Sequence, residues 1–129
     1  MTEIDTQALI EIALDARQQA YAPYSKFKVG AALLSVDGTV FTGCNVENAS
    51  YGLSICAERN AICNAIALGE HQFKAIVVAA APLASPCGAC RQFLVEFGTD
   101  ILVVSVNADD AGETKSWTSG ELLPEGFRF

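Results

Sequence analysis

Ala75-Ile76-Val77-Val78-Ala79-Ala80-Ala81 is followed closely by Pro86-Cys87-Gly88-Ala89-Cys90-Arg91, and the reading of these segments decides the fold. The first is a continuous apolar run, the pattern of a central strand covered on both faces. From about Gly88 to Phe97 the spacing predicts a helix closed by Gly98, and Ile101 to Val106 reads as the next strand. Strand, helix and strand in that order imply a parallel pair with a right-handed crossover.

Working outward, Thr6 to Tyr21 places Leu9, Ala13, Ala16 and Ala20 at helical spacing against Gln7, Glu11 and Gln18, with Pro23 beyond as a stop. Lys28 to Val36 and Thr39 to Val46 flank Asp37-Gly38, a dipeptide suited to the positive φ angles of a two-residue hairpin turn. Cys56 to Leu68 reads as a helix, with Ser54 as its cap and Gly69 as its stop. A weaker fifth strand is expected around Thr114 to Thr118, after the turn-rich Asn107 to Glu113. The expectation is one α/β domain over residues 1–129, a three-layer helix-sheet-helix sandwich around a mixed five-stranded sheet.

A chain of 129 residues suits one domain, burying about two-thirds of its unfolded surface. Hydrophobic residues make up 51%, yet the apolar runs are far shorter than the ~18 residues of a membrane span. Glu3, Asp5, Glu11 and Asp15 stand where a signal peptide would need a basic start, so a cytoplasmic protein is expected. A net charge of -7 works against binding a phosphate backbone, so a small uncharged substrate is expected rather than a nucleic acid. Five cysteines, an odd count, fit a reducing compartment with a metal or reactive thiols better than a disulfide framework.

If Gly88 opens a helix, Cys87 and Cys90 lie on one face of its first turn, about 5 to 6 Å apart at Cβ. Such a pair is half a zinc site. A catalytic zinc takes three protein ligands and keeps a fourth position for water, and Cys56 at another helix start is the candidate third ligand. Glu58, two residues on, can move protons to and from that water without binding the metal. Zinc with three thiolates carries net negative charge, which two helix N-termini and Arg59, one turn from Cys56, can offset. Arg91, beside Cys90, contributes to that offset or forms a surface ion pair.

Two other readings stay open on the residues alone. Cys87 and Cys90 can be a thioredoxin-like redox pair, which leaves Cys56 and Glu58 without a role. A closed structural zinc site would need four ligands, and only three are suitably placed. Cys63 is about 10 Å along the helix from Cys56, too far to share one zinc, and reads as a small core residue. Cys44 is read as structural, and His71, the single histidine, as a solvated loop residue outside the site.

The arrangement resembles the zinc-dependent nucleobase deaminases, whose pattern is His or Cys, one residue, Glu, then Pro-Cys-two residues-Cys. With Cys56 in the first ligand position it resembles the small three-cysteine cytidine deaminases. Tyr24-Ser25-Lys26-Phe27-Lys28-Val29-Gly30-Ala31-Ala32, Asn45-Val46-Glu47-Asn48-Ala49-Ser50-Tyr51-Gly52 and Leu122-Leu123-Pro124 extend the likeness over nearly the whole chain. The resemblance implies one zinc per chain on Cys56, Cys87 and Cys90, with Arg59 hydrogen-bonded to a thiolate. It implies hydrolytic deamination of cytidine and deoxycytidine, a water acidified by the metal attacking carbon 4 while Glu58 carries protons. Asn45 and Glu47 would hold the 3'-hydroxyl of the ribose, Phe27 would line the base pocket, and the Ala57 N–H would meet the ring carbonyl. The resemblance further implies a homotetramer with shared sites, reached from a neighbour by Ala49 and Tyr51, and by Phe127, which matches by spacing better than Phe129. Deamination of a cytosine-bearing nucleoside antibiotic is the alternative within the class.

Overall fold

The computed structural model describes residues 4–129. Helix α1 (Thr6–Arg17) starts at Asp5, whose carboxylate accepts from Ala8 N, and it buries Leu9, Ile10 and Ala13. It stops short of Tyr21. Tyr21 N donates instead to Asn45 O, and Tyr21 O accepts from Glu47 N, so pairing with a distant segment replaces the last expected helical turn.

Strands β1 (Val29–Ser35) and β2 (Val40–Cys44) pair antiparallel. Their connection spans Val36 to Gly38 and is not the expected two-residue turn: Ser35 N donates to Thr39 O at 2.9 Å, and within the loop Gly38 alone has positive φ, +94°. The Asp37 carboxylate decides this. It accepts from the Ser35 hydroxyl and from Thr39 N, closing the wider loop, and these bonds hold it well below the usual carboxylate range.

Helix α2 (Ala57–Ala67), strand β3 (Phe73–Ala80), helix α3 (Gly88–Phe97) and strand β4 (Leu102–Asn107) follow, with β3 and β4 parallel as expected. The cap of α2 is Cys56 and not Ser54. Strand β5 (Asp110–Thr118) is longer than expected because the turn after Asn107 closes within two residues, Asn107 pairing with Asp110. The short helix α4 (Ser119–Leu122), unexpected from periodicity, is held by reciprocal hydrogen bonds between Thr118 and Glu121.

The sheet order is β2-β1-β3-β4-β5. Helix α1 covers one face, packing with Ala32, Ala75, Val77 and Val104, while α2 and α3 cover the other, packing with Leu33, Ile76, Val78 and Val103. That is the expected three-layer sandwich, and each fully buried Leu, Ile or Val contributes about 1.5–3 kcal/mol. Cys63 is exposed, not in the core: the buried face of α2 is Ala57, Glu58, Ala61, Ile62 and Ala65, and Cys63 turns away from it.

Gly43 brings the site's second helix down onto the sheet. A Cβ there would fall on the backbone nitrogen of Ala61 and the carbonyl oxygen of Ala57, so only glycine lets α2 lie this close to β2. No helix among the described residues is long and apolar enough to cross a membrane.

Candidate active site

Register brings the site together at one end of the sheet. Ala80, the last residue of β3, pairs with Val29, the first of β1, and Gly30 pairs with Cys44 next to Asn45. Helices α2 and α3 start over this end, with Cys56 and Cys87 as their N-cap residues. Neither cysteine caps its helix through the side chain, but both sulfurs belong to the residue at the positive end of a helix dipole.

The Sγ atoms of Cys56 and Cys87 are 3.6 Å apart and those of Cys87 and Cys90 3.5 Å. All three lie within 4.8 Å of one another. Tetrahedral zinc with Zn–S bonds near 2.3 Å separates its sulfurs by about 3.8 Å, so the spacing fits a shared metal. The charges fit as well. Hydrogen bonding from Cys90, and more weakly from Arg59, brings the Cys56 thiol down to about 5 against burial, while Cys90 is pushed up by its bond to Cys56 and by burial. A dication among these sulfurs would favour their thiolate forms.

Arg59 Nη2 donates to Cys56 Sγ at 3.6 Å, as expected. Arg91 does something else. It faces neither sulfur nor carboxylate: Nε donates to Pro86 O at 2.8 Å, Nη1 to Leu122 O at 3.1 Å and Nη2 to Ser85 Oγ at 3.2 Å.

Beside the sulfurs is a cavity of about 180 Å³ with Phe27, Val29, Asn45 and Glu58 in its wall. Glu58 is 4% exposed, and burial raises its carboxyl above the ordinary value. A carboxyl so placed holds its proton more readily than an exposed one, which suits it to donate as well as accept. Ala57 and Cys56 also line the cavity, together with Val78, Ala80, Ala84 and Ser85, which sequence reasoning missed. Val78 and Ala80 read as core because only register shows which end of β3 opens into the site. Ser85 had a weak signal, a hydroxyl two residues before Cys87.

The other expected residues divide into two groups. Asn45 is in the cavity wall, outside any strand, and its amide spans the loop: Oδ1 accepts from Val29 N at 2.9 Å and Nδ2 donates to Phe27 O at 2.8 Å. Glu47 lies in a second groove, with Tyr24 and Tyr51, where its carboxylate accepts from Tyr24 N, Ser25 N and the Ser25 hydroxyl. Ala49, Tyr51 and Phe127 are exposed and outside the cavity, Phe127 resting edge-on to Phe129 at 5.2 Å. His71 is exposed and Cys44 half-buried, and neither lines the cavity.

The family model described as the cytidine and deoxycytidylate deaminase zinc-binding region matches residues 3–106. The chain belongs to this deaminase family. Among curated relatives, the cytidine deaminase of Sporosarcina psychrophila is 46% identical over 96% of this chain and 92% of its own length. That of Halalkalibacterium halodurans is 48% identical over 96% and 95%. The crystal structure of cytidine deaminase from Burkholderia pseudomallei superposes with a TM-score of 0.89 at 51% identity, covering 98% of this chain and 100% of that one. The corresponding structure from Mycobacterium tuberculosis gives 0.84 at 39% identity, covering 98% and 100%. Family membership supplies zinc as the cofactor, and the three-cysteine cluster is the place for it.

Proposed function

We propose that this chain hydrolyses cytidine and deoxycytidine to uridine and deoxyuridine, releasing ammonia, with zinc held by Cys56, Cys87 and Cys90. The observation that carries the reading is a buried carboxyl, Glu58, in the same cavity wall as Cys56 and Cys87. Bound zinc supplies Lewis acidity, bringing a water's pKa to about 7. Glu58 would take the proton from that water and deliver it to the ring nitrogen, then take a second proton from the hydroxyl now on carbon 4 and pass it to the amine as the C–N bond breaks and the carbonyl forms, transfers that one carboxyl in reach can perform. Its raised proton affinity suits the donor steps. The Ala57 N–H, at the start of α2, meets the ring carbonyl, and Phe27 packs on the base. Asn45 and Glu47 stand at the ribose end.

The family's name covers both a nucleoside and a nucleotide substrate, and the cavity supports the first. Among the described residues no lysine or arginine lines it, so a 5'-phosphate or an oligonucleotide finds no cation from them there. A ribose-bearing substrate also fits Asn45 and Glu47 better than a nucleoside antibiotic. A dithiol redox role would leave both the third sulfur and Glu58 idle. We assign the enzyme to pyrimidine salvage in the cytoplasm, as a homotetramer in which Ala49, Tyr51 and Phe127 serve a neighbour's site. Exposed Tyr51 at 78%, Leu53 at 64% and Phe127 at 67% support burial between subunits.

The test is zinc per chain measured together with loss of the cytidine absorbance band. Stoichiometric zinc and rapid loss of the band are expected, with far slower turnover of cytidine 5'-monophosphate. Metal-free protein that reduces disulfides would replace this reading with the redox one.

A further inference from the structure

We propose that Arg91 is a positioning residue, a strut that sets the metal-bearing loop of its own subunit by bracing it against the C-terminal segment. The loop between β3 and α3 carries Ala84 and Ser85 into the cavity wall and ends at Cys87. Residues 83–86 make no backbone-to-backbone hydrogen bond among those of the described loops and turns, so the hold within the protein falls to side chains. Arg91 supplies that hold. One planar group reaches the carbonyl of Pro86, adjacent to Cys87, and the hydroxyl of Ser85, and on its other side the carbonyl of Leu122.

The far end of the strut is itself fixed. Leu122 is 6% exposed at the end of α4, and buried Ser119 ties that helix down, donating to Gly98 O at 2.7 Å and accepting from Ile101 N at 3.2 Å. The geometry of Cys87 therefore depends on a segment that follows it by more than thirty residues and contributes no metal ligand. This effect is separate from any reach of Phe127 into a neighbour. It also differs from a charge offset, because all three Arg91 contacts are to neutral oxygens. Lysine cannot replace it, since one ammonium cannot span acceptors that a planar fork meets on two sides.

The consequence for turnover rests on the deaminase reading, whereas the consequence for the metal does not. The experiment compares Arg91→Lys, Arg91→Met and Ser119→Ala in the zinc-loaded, full-length protein. Zinc transfer to a chromogenic chelator, the visible spectrum of the cobalt(II)-substituted protein, and kcat and KM for cytidine across pH are the readouts. Both Arg91 variants are expected to release zinc about 10- to 100-fold faster, the cost typical of losing an outer-shell partner. Their cobalt bands should shift, and KM should rise more than kcat falls, with an unchanged pH profile. Ser119→Ala loosens α4 without touching the site and should accelerate zinc release in the same direction, which keeps the strut testable if neither Arg91 variant folds. Wild-type zinc release in Ser119→Ala would overturn it. So would wild-type release in the Arg91 variants with only a lower melting temperature, or rescue by Lys with a shifted pH profile in Met alone. If the variants show the zinc behaviour while the wild-type chain leaves cytidine intact, the deaminase reading fails and the strut stands.

Discussion

The sulfurs of Cys56 and Cys87 lie 3.6 Å apart although each begins a different helix. Three thiols this close favour a metal over a pair of independent thiols. The protein is expected to copurify with about one zinc per chain, as a three-ligand catalytic site requires. Cys87→Ala should lose both zinc and turnover, measured by metal analysis and by the cytidine assay. Retention of stoichiometric zinc in that variant would show that the shell is built from other groups.

Glu58 is buried beside the sulfurs, and the three cysteines are close enough together to hold a metal without it. Glu58→Gln should keep its zinc and fold while kcat falls by about 10²–10⁴-fold, the range for general acid–base groups. Loss of the metal from this variant would turn Glu58 into a ligand.

Arg59 donates to the Cys56 sulfur, which places positive charge at the metal shell. Replacing it with Gln leaves the thiolates less offset, so the water at the metal becomes harder to ionise. The acid limb of the pH–rate profile should move to higher pH, and turnover at neutral pH should fall by about tenfold for each unit of that shift. A profile superimposable on the wild type would deny Arg59 this role.

Gly43 leaves no room for a side chain against the start of α2. Gly43→Ala is expected to cost about 1–3 kcal/mol, as overpacking does, and to weaken zinc binding because Cys56 and Glu58 ride on that helix. Thermal unfolding and zinc affinity measured together check this, and an unaffected melting curve would contradict it.

Phe127 is exposed while its carbonyl is held by Gln92 Nε2 at 2.9 Å, so the backbone of the tail is anchored while its ring, edge-on to Phe129, stays open to solvent. Deleting Phe127 to Phe129 should lower kcat/KM for cytidine by about one to two orders of magnitude, the scale of losing one ring stacked on a base. Mixed oligomers of that truncated chain with full-length Glu58→Ala should recover activity that neither has alone. Verified mixtures that stay inactive would remove the tail from the neighbour's site.

Much of this was legible in the sequence. The span of α3, from Gly88 to Phe97 with Gly98 behind it, follows from local spacing and one glycine, and the structure places it there. Cys87 and Cys90 were legible as a pair from their spacing, whereas Cys56 and Glu58 were picked out mainly by the resemblance of their motif to the deaminases. Local rules carry such features because both partners lie within one or two turns of each other.

The remainder depended on residues far apart in sequence. Tyr21 left its helix because the segment from Asn45 to Glu47 paired with it. Cys63 sits outside because Gly43 lets α2 pack through Ala57 and Ala61, which settles the helix's rotation on the sheet. Arg91, adjacent in sequence to Cys90, turned to Leu122, a residue that no periodicity places beside it. Chain spacing by itself determined half of a metal site, the Cys87 and Cys90 pair. Strand register and helix packing alone decided what surrounds it, because those contacts exist only after the sheet has brought distant segments within hydrogen-bond range.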